Sequence, residues 1–161
     1  MIYNDSLKDY AQNISTLTFE MEKVCRTKEV LFCDSINITP VEFRCLRYLL
    51  NSSFALAKDL AQNMDLTPSR VTNLLNSLEK KCYVIREISS KDRRVININL
   101  TQVGQSFAED IQSKYVKFHE NILLTIEDET QLKEMLCSLK SFQQILENFL
   151  NHEGENKNGR K

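Results

Sequence analysis

The chain has two prolines, and each directly follows a threonine: Thr39-Pro40 and Thr67-Pro68. A threonine hydroxyl accepts a hydrogen bond from the first helical turn, and proline at the first helical position gives up an N–H that has no partner there. Both dipeptides therefore predict helix starts. At the first, Glu42 stands three residues beyond the cap, where its carboxylate reaches back to the cap's N–H. Only 3 of the 161 residues are glycine, too few for an all-β fold with many tight turns, so long helices are expected. A composition 42% apolar and 27% charged is that of an ordinary globular domain.

Hydrophobic spacing orders the rest. Over 7–31, Leu7, Tyr10, Ala11, Ile14, Leu17, Met21 and Val24 recur every three or four residues, an amphipathic helix. The helix from Pro40 buries Phe43, Leu46, Leu49 and Leu50, and a short helix over 56–63 has Leu60, Ala61 and Met64 as its inner face. From Thr67 to about Lys81 a further helix turns Val71, Leu74, Leu75 and Leu78 inward, with no large apolar residue opposite. The period then changes to two: 84–89 and 95–100 predict strands joined by Ser90-Lys91-Asp92-Arg93-Arg94. Thr101 caps a helix through Phe107, Ile111, Phe118 and Ile122, and Asp128 opens a last one reaching Phe149. The polar stretch 152–161 is expected to be a disordered tail.

The net charge of -1 argues at first against a nucleic-acid partner. Counted by segment it divides: 58–100 carries 8 basic and 5 acidic residues, and 101–155 carries 4 and 10. A basic middle beside acidic helices fits a nucleic-acid module attached to a helical part with other work. No membrane span or signal segment is visible, so a cytoplasmic protein is expected. Five cysteines without a C-x-x-C pair, and two histidines, suggest neither a disulfide framework nor a metal site. With no Gly-rich phosphate loop or nucleophile elbow, no enzyme and no cofactor are expected.

A short helix, a tight turn and a helix with a polar outer face make a helix-turn-helix. Its second helix fits the major groove, where Asn bonds adenine, Arg bonds guanine and hydroxyls serve either. Ser69, Arg70, Asn73 and Asn76 are the candidate base readers, and Thr72, Ser77, Lys80 and Lys81 the candidate phosphate contacts. The hairpin adds a wing whose Arg94, oriented by Asp92, suits the minor groove, with Lys91 and Arg93 adding phosphate attraction.

The run Leu66-Thr-Pro-Ser-Arg-Val-Thr-Asn-Leu-Leu-Asn-Ser-Leu-Glu-Lys-Lys81, the wing signature at Asp92 and Arg94, and the closing Leu100-Thr101-x-x-Gly104 resemble the MarR (multiple antibiotic resistance) family of bacterial transcriptional regulators. The resemblance implies a mainly α fold with a small β-hairpin wing. It places a winged helix-turn-helix at 36–101 between dimerisation helices at 1–35 and 102–151. The implied function is a sequence-specific, ligand-responsive repressor, a homodimer on palindromic double-stranded DNA, released by a small phenolic or lipophilic effector. An effector pocket is expected near Tyr10, Leu17, Phe43, Tyr48 and Tyr115. Long apolar stripes outside the central core independently call for a partner helix surface. Cys82 stands where the family has a helix-ending glycine, and a redox-responsive regulator acting through it is one alternative. A winged helix that docks protein without a DNA site is the other.

Overall fold

The computed structural model describes residues 5–52, 54–88 and 96–158. Six helices and three strands follow one another among them: α1 (Asp5–Ser35), α2 (Pro40–Leu50), β1 (Ala55–Leu56), α3 (Ala57–Asn63), α4 (Pro68–Lys80), β2 (Val84–Ile88), β3 (Ile96–Leu100), α5 (Gln102–Leu123) and α6 (Glu129–Asn158). They fall into two compact units, 1–118 and 119–161. The fold is mainly helical with a small antiparallel wing sheet, as expected from the sequence.

Both threonine–proline starts are present. At α2 the Thr39 hydroxyl accepts from the Glu42 N–H at 3.2 Å, and the Glu42 carboxylate accepts from the Thr39 N–H at 3.0 Å, a reciprocal box. At α4 the Thr67 hydroxyl accepts from the Arg70 N–H at 3.4 Å. Glycine takes no part in ending α1, α3 and α4; Asn37, Asp65 and Cys82 hold the left-handed conformation instead, with φ of 55°, 51° and 58°. At Cys82 its own N–H donates to the Glu79 carbonyl and the Tyr83 N–H to the Leu78 carbonyl, both at 2.9 Å, the double bond of a Schellman cap. Asn and Asp tolerate that conformation through their short polar side chains; a cysteine does so at a cost of about 1 kcal/mol.

The sheet has the order β1-β3-β2. In β2 and β3 the pairs run from Val84 opposite Leu100 to Ile88 opposite Ile96, and β1 pairs Ala55 with Ile98. Two residues are too few to show a period, so β1 is absent from the sequence expectation. The core of the first unit gathers Phe32 and Cys33 from α1, Phe43, Leu46 and Leu49 from α2, Leu60 from α3, the inner row of α4, Ile98, and Ala108 and Ile111 from α5. Gly104 explains the spacing of the closing motif: a Cβ there would lie 1.8 Å from the Tyr83 carbonyl oxygen. Thr101 donates to the Cys82 carbonyl at 2.6 Å and accepts from the Gly104 N–H at 2.9 Å, holding that approach. Helix α6 continues through His152 to Asn158, so the helix extends into the stretch expected to be a disordered tail. No proline interrupts it there, and one glycine, Gly154, costs a helix only about 1 kcal/mol.

Replacing Cys82→Gly removes left-handed strain and is expected to raise unfolding stability by about 1 kcal/mol. Gly104→Ala drives a methyl into backbone and is expected to cost about 3 kcal/mol or more. Urea melts of both variants check the pair.

Candidate nucleic-acid interface

Helix α4 is the second helix of the helix-turn-helix and the candidate reading element, and its geometry follows from burial. Val71, Leu74, Leu75 and Leu78 face the core. At 100° per residue the opposite side is one straight row, Ser69, Asn73, Asn76 and Lys80, all at least partly open to solvent. Arg70 and Ser77 lie on one flank of that row, and Thr72 and Glu79 on the other.

The first flank is held by a buried charge. Glu42, 3% exposed, accepts from the Ser77 hydroxyl at 2.7 Å and from the Lys81 ammonium at 2.9 Å, while still capping α2 through Thr39. Burial pushes its carboxyl up, but the Thr39 N–H and the Lys81 and Ser77 hydrogen bonds, with the Lys81 charge, outweigh that and hold it below the ordinary 4.5. Ser77 and Lys81, expected at phosphate, are engaged here with Glu42. From sequence they cannot be told apart from phosphate-facing residues, because their partner lies 35 and 39 positions away.

The second flank is held from the wing. Arg86 of β2 donates through Nη2 to the Asn76 side-chain oxygen at 2.7 Å and to the Thr72 carbonyl at 3.4 Å, and lies 3.5 Å from Glu79. Its Nε is buried and has no partner among the described residues. Sequence reasoning missed Arg86, though a signal existed: it shares the inward register of β2 with buried Val84, an unusual place for a guanidinium. Thr72 donates its hydroxyl to the Pro68 carbonyl at 3.0 Å, and Ser69 pairs with the capping Thr67 hydroxyl at 3.2 Å. The wing-tip candidates Lys91, Asp92, Arg93 and Arg94 lie outside the described residues.

Within the single chain, the five residues expected around an effector do not all meet. Phe43 and Tyr115 pack edge to face at 4.9 Å within an aromatic cluster with Phe32, and the Arg47 guanidinium lies over both rings. Tyr48 accepts at its hydroxyl from Asn63 at 3.3 Å. Tyr10 and Leu17 are exposed on α1, and Leu17 lies about 22 Å from Phe32 along the helix axis. The periodicity that flagged all five is shared by core and surface residues alike. A cavity of about 400 Å³ does open between α3, α4 and the sheet, with Ala57, Ala61, Val71 and Leu75 as its apolar walls and Thr72 and Arg86 beside it. Burial pushes the Cys33 thiol up to about 11, helped by Glu29 and Asp34, and the Cys45 thiol to about 12. Such thiols are poor nucleophiles. Cys82 is exposed, and its visible work is the helix cap. No cluster of metal-ligating side chains occurs among the described residues, and none of the described helices is long and apolar enough to cross a membrane.

A family model described as the MarR family matches residues 38–96. The HTH-type transcriptional repressor MdtR of Bacillus subtilis (strain 168) is 32% identical over 74 residues, 46% of this chain and 48% of that protein. The chain spans about half the length of the first curated relatives it matches, 48% and 56%. Among solved structures, MepR, a transcription regulator of the Staphylococcus aureus multidrug efflux pump MepA, is 25% identical with a TM-score of 0.69, covering 82% of this chain and 97% of that one. A point mutant of S. aureus MepR bound to an oligodeoxyribonucleotide is also 25% identical, with a TM-score of 0.55, covering 85% and 97%.

Glu42→Gln is expected to cost about 1–3 kcal/mol at neutral pH, because Lys81 loses its counter-charge. The depressed carboxyl contributes stability above pH 4.5 that is lost as pH falls through its folded value. Chemical melts from pH 7 downward should therefore show the two proteins converging on acidification.

Proposed function

We propose that this chain is a winged-helix protein of the MarR family and, from that premise, a sequence-specific transcriptional regulator: a homodimeric repressor on palindromic double-stranded DNA. The observation that carries the reading is the outer row of α4. Its two asparagines, one serine and one lysine face outward on a helix anchored along both flanks, by Glu42 on one side and Arg86 on the other. A fixed helix presenting amides and hydroxyls suits the donor and acceptor pattern of major-groove base edges, and a terminal lysine suits phosphate. The oligodeoxyribonucleotide-bound MepR mutant, similar in fold, supports DNA as the partner.

Homodimerisation is supported by α1. Leu7, Tyr10, Ile14, Leu17, Met21 and Val24 repeat at alternating steps of three and four, the spacing of a helix-pairing seam, yet all are 42% to 66% exposed. A stripe of that length requires a covering partner. Two copies would carry two reading helices to half-sites about 34 to 36 Å apart. Ser69, Asn73, Asn76 and Arg70 are the base readers in this account. Lys80 and Thr72 reach phosphate, and Arg94, oriented by Asp92, enters the minor groove with Lys91 and Arg93 beside it. A small apolar effector would fit the 400 Å³ cavity against α4, within the usual volume of small-molecule sites. The reading carries with it a cytoplasmic protein without catalytic activity of its own.

Selection of duplexes from a random library by the full chain should enrich a palindrome; binding that enriches no sequence contradicts the proposal. On the selected duplex, Lys80→Ala and Arg94→Ala should each weaken binding and reduce the slope of log affinity against log salt by about 1. Gel-shift series at rising salt read that slope, and an unchanged slope removes the residue concerned from the DNA-binding surface.

A further inference from the structure

Asn76 stands in the outer row of α4, but one end of its amide is already committed. Arg86 Nη2 donates to it at 2.7 Å. A guanidinium has five donors and no acceptor, so the amide group facing it must be the oxygen. A short bond from a charged donor is a strong one, and it holds the amide against rotation. Arg86 itself has little freedom to follow: it sits opposite Ile98, which is fully buried, its Nη2 also reaches the Thr72 carbonyl, and Glu79 stands 3.5 Å away. With the oxygen turned to the wing and one of its two lone pairs taken there, the amide directs its two N–H donors away from Arg86.

That restriction decides which base the residue suits. The familiar Asn–adenine pair needs both ends of the amide, the oxygen accepting from adenine N6 and the nitrogen donating to N7. Guanine presents two acceptors, N7 and O6, and asks for donors alone. On the reading that α4 enters the major groove, on which this rests, we infer that Arg86 is a specificity-positioning residue. From the wing strand, and without touching DNA, it fixes the Asn76 amide so that the position it faces favours guanine over adenine. The wing thereby contributes to the sequence read by the recognition helix through a side chain at its base.

The test is duplex selection with the full chain, for the wild type and for Asn76→Ala, Arg86→Met and Arg86→Lys. The half-site position whose preference disappears in Asn76→Ala is the one Asn76 reads. There the wild type should favour guanine. Arg86→Met should free the amide to rotate and lower the guanine-to-adenine ratio about tenfold, the size of one base-specific bidentate contact, while other positions keep their preferences. Arg86→Lys, still a donor without an acceptor, should retain most of the ratio. The inference is overturned if the wild type favours adenine there, if Asn76→Ala alters no position, or if Arg86→Met weakens all sequences evenly with the ratio intact. Wild-type selection separates the two failures: a palindrome with any of those results sinks only the role of Arg86, whereas no enriched sequence sinks the DNA reading itself. Should Arg86→Met not fold, the wild-type base and the Arg86→Lys ratio still decide.

Discussion

A buried carboxylate, Glu42, anchors α4. Glu42 sits at the start of α2, where the unpaired N–H groups and the positive end of the helix dipole favour negative charge, and it is almost wholly removed from water. An isolated charge there would be costly. Both oxygens are answered, by the Thr39 N–H, the Ser77 hydroxyl and the Lys81 ammonium. Since two of those donors lie in or just after the last turn of α4, satisfying one helix's cap fixes the position of another. The Schellman cap at Cys82 follows at once and turns the chain into β2, so the wing inherits its direction from the same point.

Arg86 acts on the opposite flank as the complement of Glu42. One anchor joins α4 to α2 by a buried anion, the other joins it to β2 by a half-buried cation, and their contacts on α4 leave Ser69, Asn73 and Lys80 facing outward between them. The chain's near-zero charge conceals this arrangement, because the basic segment 58–100 is balanced by acidic residues further along. Part of that basic charge is internal: Lys81 answers Glu42, and Arg86 is taken up by Asn76, Thr72 and Glu79. The positive charge available to the proposed DNA surface of α4 is accordingly smaller than a count of residues suggests, and among the described residues rests on Lys80 and Arg70.

Much of the architecture is legible in the sequence because it is written in local rules. The two Thr-Pro caps, the inner row of α4 and the change of period at β2 each depend on residues a few positions apart, and each reappears in the structure. What escaped depends on distant partners or on elements too short to carry a period. Ser77 and Lys81 look like solvent-facing residues of α4 until Glu42 is placed beside them. Arg86 looks like one more wing charge until its inward register is seen. β1 has two residues, and the effector residues are grouped by an apolar pattern that does not say which of them meet. Cys82 is a middle case: the resemblance marks its position as one where a helix-ending glycine is expected but leaves open whether a cysteine takes that conformation, and the φ of 58° shows that it does.

The central claim is that α4 reads DNA with its outer row while its flanks stay anchored. A crystal structure of the full chain with its selected duplex tests this most directly. The account predicts Asn73 and Asn76 at base edges, Lys80 at phosphate, and Ser77 and Lys81 still hydrogen-bonded to Glu42. A complex in which Ser77 and Lys81 leave Glu42 for the phosphate backbone, or in which α4 lies outside the major groove, would contradict it.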